Sequence, residues 1–169
     1  KATVRYLLRS QWFWAPESYY ARYAWPVEFV VRAIKETGFT GLSVDTARTP
    51  LTNMGQTLFE PPDVSGWNLG ANWFGTGAML ARMNFAAALA SNQKFNLGRA
   101  AQAQRTSPEG VLDYFLNRIT PAALDPSQRL ELLSYLRTGG AWTGSDAQLN
   151  TKASGLARLL IGAGEYQFV

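Results

Sequence analysis

Apolar positions recur along most of this chain at helical rather than strand spacing. From Ala2 to Ser10, Val4, Leu7 and Leu8 fall on one side and Arg5 and Arg9 on the other, which predicts an amphipathic helix. It runs into Gln11-Trp12-Phe13-Trp14-Ala15-Pro16, a bulky aromatic exit closed by proline, followed by Tyr19, Tyr20, Tyr23 and Trp25. Pro26 opens a second helix at a position where a missing N–H costs nothing. Val27, Val30, Val31 and Ile34 form its buried stripe, Glu28 complements the positive end of its dipole, and Gly38 is its expected stop. Residues 39–48 read as a loop. Thr49-Pro50 is expected to begin a third helix through Met54 and Leu58.

Phe59-Glu60-Pro61-Pro62-Asp63-Val64-Ser65-Gly66-Trp67 then breaks regular structure, because two prolines and a glycine fix a turned backbone. Asn72 or a near neighbour is expected to cap a long helix through Met79, Leu80, Met83, Phe85 and Leu89, and its many alanines favour both helix and close packing. Residues 92–103 read as a polar linker. Thr106-Ser107-Pro108-Glu109 forms a capping box before Val111, Leu112, Phe115 and Ile119. Asp125-Pro126-Ser127-Gln128 signals another helix start before Leu130, Leu133 and Leu136, which Gly139-Gly140 ends. A last helix is expected from Asp146 to Ile161. No strand-like alternation persists, so the expectation is an all-α fold. It would be an irregular bundle of about six helices, in a single domain over 1–169, around a Pro/Gly/Trp-rich corner.

Composition narrows the chemistry. The 169 residues suffice for a core without disulfide staples. Charged residues are 17% of the chain, below the usual value of about 25%, while apolar residues at 47% exclude disorder. Few charges together with six Trp suit a chain that buries surface against something else. The net charge of +4 is scattered without a basic cluster, so no nucleic-acid partner is expected. One asymmetry stands out: no acid lies between Asp63 and Glu109, where Arg82, Lys94, Arg99 and Arg105 could form a mildly positive face. Cys and His are absent, which excludes thiolate and histidine catalysis and the usual zinc sites. No metal and no cofactor is expected. No apolar run approaches the roughly 20 residues of a transmembrane helix. No signal peptide is visible either, and the opening Lys1-Ala2-Thr3 reads as part of a longer chain.

Three segments carry a resemblance. Trp25-Pro26-Val27-Glu28-Phe29-Val30-Val31-Arg32-Ala33 is similar to a proline–hydrophobic–glutamate helix. Met54-Gly55-Gln56-Thr57-Leu58-Phe59-Glu60-Pro61-Pro62-Asp63-Val64-Ser65-Gly66-Trp67 is similar to an MGQ-x-LF-x-PP-[DN]-V-x-GW signature. Trp73 followed by Leu80-Ala81-Arg82-Met83-Asn84-Phe85 is similar to its continuation. In this order they resemble the carboxy-terminal third of the bacterial family called domain of unknown function 1800. Leu159-Leu160-Ile161 through Gln167 resembles that family's close, with Gly162-Ala163-Gly164 in place of the usual serine-proline. The resemblance covers nearly the whole chain. It implies a largely helical, exported (periplasmic, cell-surface or secreted) bacterial protein, often encoded beside a sulfatase-like family. It supplies no catalytic residue.

The residues leave two functional readings open. Glu60 and Asp63, beside Trp67 and Trp73, supply the two carboxylates and the aromatic platforms of a carbohydrate-handling, even hydrolytic, module. Alternatively, Asp63 caps a structural corner, Trp67 drops into a core, and Arg82 pairs a buried carboxylate of that corner. Trp12, Phe13, Trp14, Tyr19, Tyr20, Tyr23 and Trp25 are core residues, a stacking surface, or an interface to upstream chain or to another protein of the same assembly. The leading expectation is a non-catalytic interaction module that binds another polypeptide or a surface assembly. An open pocket joining the carboxylates to both tryptophans would favour the carbohydrate reading; burial against Arg82 would favour the structural one.

Overall fold

Short-range capping decides most helix starts in the computed structural model, which describes residues 1–39, 43–92, 96–119 and 124–169. Eight α-helices occur among them: α1 (Ala2–Arg9), α2 (Pro26–Thr37), α3 (Val44–Asn53), α4 (Thr76–Ala90), α5 (Leu97–Ala100), α6 (Pro108–Ile119), α7 (Pro126–Arg137) and α8 (Asp146–Gly162). Short 3-10 turns join some of them, and the described residues contain no strand, only an isolated antiparallel bridge between Tyr23 and Phe168. The fold is all-α.

Several starts follow the expected chemistry. Pro26 occupies the first position of α2, and Glu28 Oε2 accepts the Trp25 N–H at 2.8 Å. Ser107 Oγ accepts from Gly110 N at the head of α6. Asp125 accepts from Ser127 N while Gln128 accepts from Asp125 N, a reciprocal box at α7. Gly38 ends α2 in the left-handed region, at φ 75. A side chain there would also collide with the Arg118 guanidinium, which donates to the Glu36 carbonyl at 2.6 Å.

In α2, Val31 is exposed rather than part of the buried stripe, which Phe29, Val30 and Ala33 form. Three element assignments also need correction. The third helix does not start at Thr49-Pro50. It starts at Val44 behind Ser43, whose Oγ accepts from Thr46 N, and Pro50 lies inside it. Ala47, Leu51 and Met54, at i, i+4 and i+7, form its inward stripe, and the helix ends before Leu58 because Gly55 turns the chain at φ 90. Residues 40–42, part of the expected 39–48 loop, lie outside the described residues. Second, Asn72 does not cap α4. It sits in a 3-10 turn, Gly70–Phe74, and α4 begins after Gly75 with no side-chain cap. Third, the segment expected as a polar linker holds α5, capped by Asn96, with Leu97, Gly98 and Ala101 buried. Residues 93–95 of that segment lie outside the described residues.

The core forms where α8 meets α4, α5, α6 and α7, and where α2 meets α3, α4 and α6. Phe29, Phe85, Phe115, Leu112, Leu156 and Leu160 fill it, while Ala86, Ala153 and Ala157 let helices approach closely. The chain end closes this body. Ala24 N donates to Gln167 O, and Arg22 and Val169 exchange two backbone hydrogen bonds. Tyr166 is fully buried, donates to Glu36 at 2.7 Å, and lies under the Arg32 guanidinium. α1 stands apart: it buries none of its residues.

Candidate functional site

Arg82 on α4 is 1% exposed, yet no carboxylate meets it among the described residues. Its Nη2 donates to the Ala24 carbonyl at 2.7 Å and its Nη1 to Gln167 Oε1 at 3.1 Å. The guanidinium carbon lies 4.8 Å from the Phe29 ring centre and 4.7 Å from that of Phe74. Burial pushes its pKa down to about 10. The expected Arg82–carboxylate pair is therefore replaced by a cation held between two rings and two neutral acceptors. It joins α4 to the chain end and to the strand-like stretch before α2.

The corner loop is not a buried corner. Glu60 and Asp63 are both exposed. Asp63 Oδ1 accepts from Ser65 N at 2.8 Å and from Ser65 Oγ, and these hydrogen bonds hold its carboxyl below the usual range. Gly66, at φ 94, completes the turn with its N–H on Asp63 O. The two tryptophans differ. Trp73 is buried against Trp25, with ring centres 6.1 Å apart, whereas Trp67 is only half-buried and so does not drop into the core. Neither indole N–H has a hydrogen-bond partner among the described residues. Among the described residues no carboxylate is buried against Arg82.

Phe59 projects from this loop. It is 93% exposed and adopts φ 66, a backbone conformation uncommon for a residue with a bulky side chain. Val64 and Leu69, further along the same segment, are exposed as well.

The amino-terminal aromatics divide into two groups. Tyr23 packs on Phe74 and Phe168, and Trp25 on Trp73, so both belong to the body. Tyr20 is half-buried at φ 52. Trp12, Phe13, Trp14 and Tyr19 are exposed, together with Leu7 and Leu8 of α1. This arm is braced internally: Trp14 Nε1 donates to Leu8 O at 2.7 Å, Ser18 Oγ donates to Trp12 O at 2.6 Å, and Phe13 stacks edge-on against Trp14. Its aromatic side chains and Leu7 line an open concavity of about 530 Å³.

The residues expected on a mildly positive face are placed differently from one another. Arg82 is buried, Arg105 lies 3.2 Å from Asp146, Arg99 is exposed, and Lys94 lies outside the described residues. No helix of the described residues is long and apolar enough to cross a membrane.

A family model described as a protein of unknown function, DUF1800, matches residues 1–168. The chain belongs to the DUF1800 family. No curated protein and no solved structure matches it. Two buried amides of this DUF1800 chain escaped sequence reasoning. Gln56, inside the MGQ segment, accepts from Val27 N at 2.9 Å and so caps α2 from 29 residues away. Gln167 bridges Arg82 to the Ile161 and Ala163 carbonyls at the end of α8. Their signal was an amide side chain in a quoted motif, but nothing local pointed to its partner.

Proposed function

We propose that this DUF1800 domain is a non-catalytic interaction module of an exported protein and docks a polypeptide through its amino-terminal arm. The observation that carries the reading is the exposure of Leu7, Trp12, Phe13, Trp14 and Tyr19 around one concavity. Contiguous apolar surface of this kind is costly to leave in water, and Trp and Tyr are favoured interface anchors. The internal bracing of the arm supports the same reading, because a surface already ordered loses little entropy on binding.

The test is photocrosslinking in the full protein as its host makes it. A benzophenone amino acid replaces Phe13, and in a control it replaces Leu130, which is exposed on α7. The expected result is a polypeptide adduct from position 13 that is weak or absent from position 130. Equal labelling at both positions, or adducts of position 13 with glycan or lipid alone, would overturn the proposal.

A further inference from the structure

Cations lie over aromatic rings at several places in this fold: Arg82 against Phe29 and Phe74, Arg32 over Tyr166 and Lys152 over Tyr135, 4.1 to 4.8 Å from the ring centres. Among the described residues no cation lies over a ring of the arm. Arg5 and Arg9 stand on the face of α1 opposite Leu7, and no basic side chain lines the aromatic concavity. Glu17 sits at its rim, in the 3-10 turn Pro16–Ser18. It is exposed and has no hydrogen bond or ion pair among the described residues. The wall itself offers mainly rings. Trp14 Nε1 donates to Leu8 O, Ser18 Oγ donates to Trp12 O, and Ser10 Oγ accepts from Trp12 N at 3.3 Å, so these polar groups serve the arm's own structure.

We infer that this concavity receives a basic side chain, arginine or lysine, of the polypeptide that docks on the arm. The inference rests on the reading of the arm as a polypeptide-docking surface and states the chemistry its partner presents. An aromatic ring carries negative potential on its face, so a guanidinium or ammonium placed over Trp12 or Trp14 is attracted where a carboxylate is repelled. The carboxylate at the rim, Glu17, has the same preference and is free to act on it. An acidic segment would meet neither condition. The apolar stem of an arginine or lysine can lie on Leu7 and the rings while its head stays near the rim and water, so the charge keeps most of its hydration. An open concavity of about 530 Å³ admits such a side chain together with part of the segment that carries it. A wholly apolar side chain would bury surface there too, but it would gain nothing from Glu17. The preference for a cation is therefore a difference in affinity between the two.

Peptide selection on the full-length protein tests this. A displayed library of random short peptides is panned on the wild type and counter-selected on Trp12→Leu, which removes a ring from an exposed position and keeps apolar surface. The selected peptides should share an arginine or a lysine at one position. Replacing that arginine by citrulline, or that lysine by norleucine, should weaken binding about tenfold in fluorescence anisotropy at low salt. Glu17→Gln should weaken the parent peptide about threefold and leave its neutral counterpart unchanged, a split that a loss of folding would not produce. Failure to select any peptide, selected peptides without a shared basic position, a neutral counterpart that binds as well as its parent, or an equal effect of Glu17→Gln on both would each overturn the inference. A polypeptide adduct at position 13 beside any of these results would leave the arm reading standing and remove the cation alone, so the two fail separately.

Discussion

Arg82 shows how much one side chain carries. Its two terminal nitrogens satisfy the Ala24 carbonyl and Gln167, and its plane lies against Phe29 and Phe74. Arg82→Ala leaves two buried acceptors unpaired and opens a cavity, and should cost about 3 kcal/mol or more. Asp63→Ala, by contrast, removes an exposed clasp within a single loop and should cost under about 1 kcal/mol. Urea denaturation of the two variants beside wild type checks the ranking. A larger loss for Asp63→Ala would mean that the corner, not the Arg82 crossing, organises the fold.

Among the elements, α5 is the least expected, and it packs closely on α8. It is four residues long, yet it packs along α8 because Gly98 lets the backbones approach. A Cβ on Gly98 would lie 2.9 Å from the Asn150 Cα, which is backbone and cannot swing aside, and closer still to the Asn150 side chain. Alanine favours helix over glycine by about 1 kcal/mol. Gly98→Ala should nonetheless destabilise, by about 1–3 kcal/mol, because overpacking against a rigid neighbour outweighs propensity. A thermal melt decides it, and a raised melting temperature would refute the close-approach argument. α1 is the opposite case: its amphipathic period is clear, but it buries none of its residues.

At the scale of the whole molecule, the chain end closes the fold. Residues 22–24 pair with residues 167–169, and Arg22 also forms an ion pair with Glu28 at 2.7 Å. Hydrogen bonding by Arg22 holds the Glu28 carboxyl below its ordinary value of 4.5, against a smaller opposing effect of burial. The folded state therefore binds that proton less readily than the unfolded chain. The contribution is present above pH 4.5 and is lost as pH falls through the lowered folded value. Because the pair is partly exposed, Glu28→Gln should cost under about 1 kcal/mol at neutral pH. It should also flatten the stability profile just below pH 4.5, which stability measured across that range in both proteins would show. An unchanged acid slope would remove Glu28 from the account.

The helix inventory was largely legible from the amino acids because its causes are local. Capping at Ser107 and Asp125, the stop at Gly38 and the stripe of α6 act within a few residues, whereas in α2 the expected Val31 is exposed and Phe29 and Ala33 are buried instead. The misplacement of α3 is local too: the rule that places proline at a helix start outweighed the weaker stripe of Ala47, Leu51 and Met54. Partners were a different matter. Arg82 meets Ala24 across 58 residues and Gln167 across 85, and Gln56 caps α2 across 29. Sequence marked Arg82, Trp73 and the Pro-rich turn as notable, but only tertiary packing decided that the arginine faces neutral acceptors. It also decided that Trp73 is buried while Phe59 points outward. A helix is written in neighbours three and four positions apart, whereas a buried polar crossing is fixed by which elements the core brings together.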